Sequence, residues 1–164
     1  TENVPAIVGM GKAAELARLE MDSRVRNIGI LGDKLRKVIT TSSTEVVLNG
    51  HPVLRLCGNC NFGVKYIEGE SMLLTLAMEG IYASSGSACT SHALKASHVQ
   101  TAMGIDAASA NGSILFTIGK DNTEEEIDSV IAVMPGIIQK LREMSPLYEK
   151  GRSMGSVTDG EVAP

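Results

Sequence analysis

Apolar residues recur at helical spacing from the start of the chain: Ile7, Val8, Ala14 and Met21 with Leu16 and Leu19 beside them, then Val25, Ile28, Leu31, Leu35 and Val38. Asn3 or Glu2 caps this segment and Pro5 starts it, because proline's missing donor costs nothing in a first helical turn. Arg24, Arg26, Asp33, Lys34 and Lys37 fall between the apolar positions. The pattern predicts a helix pair, or one bent helix, with one buried stripe and a solvated charged face. Residues 40–44 form a polar break, after which the period changes. Residues 45–48 read as a strand, Asn49-Gly50 as a turn, 53–56 as a second strand and 59–66 as a third. In the third, Asn59, Asn61 and Lys65 alternate with Cys60, Phe62, Val64 and Tyr66, which predicts one wet face.

Residues 68–80 return to helix, with Met72, Leu73, Leu76 and Ala77 as the apolar face and Gly80 as the stop. A short strand over 81–83 feeds a loop over 84–91. Ser97 caps another short helix through Met103, and 113–118 is the last strand. Thr123 with Glu126 is a capping box that opens a long amphipathic helix through Leu141, bent at Pro135. From Lys150 the chain is glycine, serine and acid without periodicity, which predicts a disordered tail over 150–164. The fold class is therefore α+β: an antiparallel or mixed sheet of about four strands with helices packed on one face.

A chain of 164 residues at 43% apolar and 21% charged is one ordinary globular domain, here spanning 1–149. Its net charge of -4 argues against a nucleic-acid surface, and no apolar run approaches the roughly 20 residues of a membrane span. Three cysteines without a secretory leader point to a reducing compartment, hence the cytoplasm. The start at Thr1 and the scarcity of aromatic residues suggest a portion of a longer protein.

The loop SSGSACTS, residues 84–91, holds nothing that fills a core, and Gly86 opens backbone angles closed to other residues. It presents Cys89 at a surface, where exposure and nearby donors favour the thiolate; a flexible linker with an incidental cysteine is an equal reading. His92, His98 and Lys95 come within nine residues of it and read more simply as exposed side chains. Cys57-Gly58-Asn59-Cys60 is a CxxC, but no second pair exists to complete a zinc site, and a strand comes after it where a redox pair opens a helix. Two small core or edge residues is the expected reading.

The loop, together with Ser97-His98-Val99 and Ala102-Met103-Gly104 after it, resembles the active-cysteine loop of the NifS/IscS-type cysteine desulfurases of the class V aminotransferase family. The flanks TENVPAIVGMGKA, GNCNFGVKYIEGESMLLTL, SILFTIGKDNTEEEID and LREMSPLYE resemble it too, in the family's order, up to about Glu149. The resemblance covers the C-terminal, small-domain portion of such enzymes, whose pyridoxal phosphate is bound by a preceding large domain. It implies that Cys89 is the nucleophile, taking sulfur from L-cysteine as a persulfide, releasing L-alanine and passing the sulfur to an iron–sulfur scaffold or another acceptor. It implies a homodimer in the full protein, with Thr1 reaching the cofactor phosphate across the dimer interface.

The Schiff-base lysine, the ring-stacking histidine and the pyridinium-pairing aspartate of that family have no counterpart, so this chain alone is expected to be inactive. Leu115 stands where the family has the arginine that clamps the substrate carboxylate, and Lys120 is a displaced substitute for it. Two further readings stand beside this one: a related pyridoxal-phosphate lyase or transferase with an altered substrate, or a non-enzymatic persulfide relay that docks on a scaffold.

Overall fold

The computed structural model describes residues 1–86, 97–146 and 148, with only the backbone of Ala107 and Ala108. The predicted positions Cys89, His92 and Lys95, and the tail 150–164, lie outside the described residues.

The first helix, α1 (Val4–Ser42), is one continuous element of 39 residues, neither a pair nor broken at residue 40. Asn3 caps it, its side chain accepting from Ala6 N at 3.1 Å. The threonines of the polar break remain within the helix, with their hydroxyls turned back over one turn: Thr40 donates to Arg36 O at 2.7 Å and Thr41 to Lys37 O at 2.8 Å. The predicted stripe is buried only in the second half, at Leu31 and Leu35; Ile39, outside the predicted pattern, is buried with them, and Val38 is half-buried. Ile7, Val8, Leu19 and Met21 are all more than half exposed.

Strands β1 (Val46–Leu48), β2 (Asn59–Val64) and β3 (Ser113–Thr117) make one antiparallel sheet in the order β1-β2-β3. Val46 pairs with Val64, Leu48 with Phe62, Phe62 with Ile114 and Cys60 with Phe116, so these residues share one face. On that face Phe62 and Phe116 meet edge to face with centroids 6.3 Å apart. Helices α1, α2 (Gly69–Met78) and α5 (Glu124–Glu143) cover it, closing a core with Leu35, Ile39, Met72, Leu76, Met134 and Ile138. Lys34 ties α1 to α5 through Glu124 and Asp128, both at 2.6 Å. The capping box at Thr123 and Glu126 is formed, and Pro135 lies inside α5, as the sequence predicts.

Two predicted strands are absent from the ladder, leaving three strands where about four were expected. Residues 53–56 bend instead: His51 Nδ1 accepts from Val53 N at 3.1 Å and from Leu54 N at 2.8 Å, so the donors a ladder needs are taken locally. Val53, Leu54 and Leu56 are consequently among the most exposed apolar residues. The strand expected over 81–83 shrinks to a single bridge at Ser84, which pairs with Leu115 on the free side of β3. β2 also ends at Val64, ahead of Tyr66, whose φ of 70° is incompatible with a strand.

Beyond the undescribed segment come two short helices, α3 (His98–Ala102) and α4 (Ala107–Asn111). Ser97 precedes α3 without the side-chain cap expected of it, whereas Asp106, unanticipated, caps α4 by accepting from Ser109 N at 3.0 Å.

Candidate functional site

Alternation along the strands places Val47, Asn59, Asn61, Gly63, Ser113, Leu115 and Thr117 on the face opposite the core. This is the face predicted to be wet. Its centre is instead built over. Asn49, just past β1, donates through Nδ2 to Asn61 Oδ1 at 2.6 Å, and Gln100 of α3 donates through Nε2 to the same oxygen at 3.3 Å. Asn49 and Gln100 are buried, and Ser113, 3.4 Å from Asn49 Nδ2, is buried with them.

Around this amide cluster lies a cavity of about 360 Å³. Asn59, Asn61 and Leu115 form its floor, the 49–56 loop one wall, α3 another, and Ser85 and Gly86 a third. The third wall is the stem of the predicted cysteine loop. Ser84 N donates to Leu115 O at 3.0 Å and Leu115 N to Ser84 O at 2.6 Å, which pins the stem to β3. Gly86 then turns with φ +81°, its N–H donating to Ser84 Oγ at 3.0 Å. A Cβ at Gly86 would stand 3.7 Å from Leu115 Cδ2 and 3.6 Å from Asn61 Nδ2, so the chain passes directly over the floor. The structure thus brings the entrance of the loop and Leu115 together, while Cys89 itself lies outside the described residues.

The sequence gives Arg55 only a place in a predicted strand, yet it enters the cavity wall. Its Nη2 donates to Asn49 O at 3.1 Å and its Nη1 to His51 O at 3.4 Å, while its Nε is buried without a partner. Burial, and then the nearby charge of Arg36, push its pKa down, which marks a cation short of neutralising neighbours. Gln100 Oε1 is likewise buried without a partner, in a residue only 5% exposed. The signals for these residues are a lone cation in the 51–56 loop and polar Asn49, Asn61 and Gln100, which read as ordinary turn and surface positions until the fold joins them.

The remaining predicted sites are apart. Thr1 is exposed ahead of α1, and at 1.5 Å per residue Val4 stands about 40 Å along that helix from Leu31, where burial begins. Lys120 pairs with Asp121 at 2.7 Å on the exposed turn after β3 and does not line the cavity, so it is no substitute for an arginine at Leu115. Cys60 is fully buried in the core, where burial pushes its thiol pKa up against the opposing pull of Arg36, whose Nη1 lies 3.4 Å away. Arg36 also donates to Cys57 O at 2.9 Å, so the CxxC turn is clamped onto α1 at Gly32, where any Cβ would collide with Cys57 O. Among the described residues no group of three His, Cys, Asp or Glu side chains is placed to hold a metal ion, and no helix is long and apolar enough to cross a membrane.

Residues 1–130 match the family described as aminotransferase class-V. The chain is 49% identical over 150 residues to "Cysteine desulfurase IscS" of Methanosarcina thermophila, a match covering 92% of this chain and 37% of that protein. It is 47% identical over 150 residues to "Cysteine desulfurase IscS 1" of Archaeoglobus fulgidus, covering 92% and 39%. The chain therefore spans well under half the length of these curated relatives. Among solved structures, the NifS-like protein from Rickettsia africae superposes with a TM-score of 0.74 at 27% identity, over 85% of this chain and 36% of that one. A putative sugar aminotransferase from Streptococcus pneumoniae shares the fold with a TM-score of 0.59 at 13% identity, over 79% and 34%. Families of this kind use pyridoxal phosphate, but the described cavity residues include no lysine for a Schiff base, no carboxylate for a pyridinium nitrogen and no aromatic ring except His51. They do not fit that cofactor by themselves.

Proposed function

The chain belongs to the aminotransferase class-V family, and from that premise we propose that it is the C-terminal part of a cysteine desulfurase, carrying Cys89 as the sulfur-accepting thiol. The observation that carries this reading is the position of Ser85 and Gly86 against Leu115 in one cavity, within a chain 47–49% identical to proteins named cysteine desulfurase. Three residues of chain reach at most about 11 Å, so Cys89 is tethered within that distance of Gly86. A thiol on such a tether can enter the cavity and leave it again, an excursion closed to a residue packed in a strand.

In this reading the domain is residues 1–149 with the active-cysteine loop at 84–91, and 150–164 is a disordered tail. Pyridoxal phosphate and its lysine belong to a large domain, which labilises the sulfur of L-cysteine. Cys89 takes up that sulfur as a persulfide, L-alanine is released, and the sulfur passes to an iron–sulfur scaffold or another acceptor. The exposed apolar residues of the first half of α1, Val4, Ile7, Val8 and Met10 among them, support a large partner surface along that helix. The distance of Thr1 from the cavity of its own chain supports a role at a second site, the cofactor phosphate across a homodimer interface. The protein is cytoplasmic, and neither nucleic acid nor membrane is a partner.

A second reading keeps the family and changes the substrate, and Leu115 favours it: an apolar side chain lines the cavity where the family's arginine clamps a carboxylate. The test is release of L-alanine from L-cysteine by the whole protein loaded with pyridoxal phosphate, beside its Cys89→Ser variant. Alanine formed by the parent and lost in the variant supports the desulfurase. Absence of alanine from the parent contradicts it.

A further inference from the structure

The cavity contains an unneutralised cation. Among the described residues that line it, Arg55 is the one permanently charged side chain and none is a carboxylate. Arg36, the nearest comparable guanidinium, has Asp33 at 2.7 Å; none of the ion pairs among the described residues includes Arg55. Among the described residues only Asn49 O and His51 O meet the five N–H donors of Arg55, and Nε is buried with no acceptor. With Nη hydrogens left over and its charge unpaired at the cavity wall, the guanidinium suits an anion that arrives from outside.

Size narrows the ligand. A cavity of about 360 Å³ lies at the small end of ligand pockets, and the stem at Ser85 and Gly86 forms one of its walls. Gln100 Oε1 adds a buried acceptor with no donor of its own on the adjacent wall. Leu115 offers only apolar surface at the floor.

Resting on the desulfurase reading, we propose that Arg55 holds the carboxylate of the amino-acid substrate, taking from the loop wall the role that Leu115 cannot perform from β3. The guanidinium presents the Nη1 and Nη2 hydrogens that His51 O and Asn49 O leave free as a fork to the two carboxylate oxygens. In this chain the loop wall, not the strand floor, carries the charge, and that charge sets the cavity's preference for a small anion.

The test uses the whole protein with its cofactor bound, as the parent, Arg55→Gln, Arg55→Lys, Leu115→Arg and the double variant Arg55→Gln with Leu115→Arg. The probes are 3-mercaptopropionate, which is cysteine without its amine, and cysteamine, which is cysteine without its carboxylate. Arg55→Gln is expected to weaken 3-mercaptopropionate binding by about 10- to 100-fold and leave cysteamine unchanged. Arg55→Lys weakens it less, and the double variant recovers the binding that Arg55→Gln alone loses. With L-cysteine, KM rises while kcat holds, as for an interaction made equally in ground and transition states. Equal binding of 3-mercaptopropionate by parent and Arg55→Gln overturns the proposal, as does its failure to bind the parent. Equal weakening of both probes overturns it too, because it shows a role in the shape of the loop alone. A parent that makes no alanine, yet binds 3-mercaptopropionate through Arg55, overturns the desulfurase reading and supports the carboxylate site.

Discussion

Ser84 and Leu115 exchange two backbone hydrogen bonds, of 3.0 and 2.6 Å, on the free side of β3. The pair links the stem of the predicted cysteine loop to Leu115, a residue of the cavity floor. Pairing at one residue, without a strand around it, fixes where the loop begins and does not extend the ladder to Ser85 or Gly86.

Ser84→Pro removes the donor to Leu115 O and keeps the rest of the sheet. Sulfur loading of Cys89 is expected to fall in the whole protein, while the thermal midpoint stays close to that of the parent because the bridge is isolated. A variant that loads normally would show that the bridge does not position the thiol.

The amide cluster on the outer face makes a different prediction. Asn61 Oδ1 accepts from both Asn49 and Gln100, so Asn61→Leu strands two buried donors at once. The expected loss is about 1–3 kcal/mol in urea unfolding, with a weakened grip on α3. An unchanged midpoint would mean that water satisfies those donors and that the cluster does not hold α3 to the sheet.

Within the core, Phe62 is fully buried on β2, paired in register with Leu48 and Ile114 and in edge contact with Phe116. Phe62→Ala is expected to cost about 3–5 kcal/mol in denaturant unfolding. A loss below about 1 kcal/mol would show that the site collapses around the cavity, against the close packing of an ordinary core.

The capping box of α5 predicts a pH dependence. The Glu126 carboxyl is held below its ordinary 4.5 by the Asn122 side-chain amide and then by the Thr123 backbone N–H. A carboxyl with a depressed folded pKa adds stability that is fully present above its unfolded value and is lost as pH falls through the folded one. The parent should therefore be more stable than Glu126→Gln at pH 7, and thermal midpoints measured downward from pH 4.5 should converge. A gap that stays constant to low pH would contradict a charged cap.

The elements whose residues specify their own geometry are legible from the sequence. Asn3 with Pro5 and Thr123 with Glu126 each produce the element they predict, and the alternation from Asn59 to Tyr66 produces a strand that stops at Val64. Residues 53–56 mislead because Val53, Leu54 and Leu56 have strand character, whereas the His51 ring, a side chain, takes the backbone donors. Periodicity does not see such a contact. The same limit hides the site. Asn61 looks like a solvated strand position because nothing local shows that Gln100, 39 residues later, will cover it. Arg55 is hidden by the strand character of its loop. The half-exposed stripe of α1 is a subtler case: the helical period is right, but it reports apolar positions and not their covering.

Intact-mass spectrometry of the whole protein decides whether Cys89 accepts the substrate sulfur. The protein, loaded with pyridoxal phosphate and given L-cysteine, is measured beside its Cys89→Ser variant, with the modified residue located by peptide mapping. The account predicts the added mass of sulfur on Cys89, removed by a thiol reductant and absent from the variant. Sulfur found on Cys57 or Cys60, or an unmodified chain that still releases alanine, would contradict it.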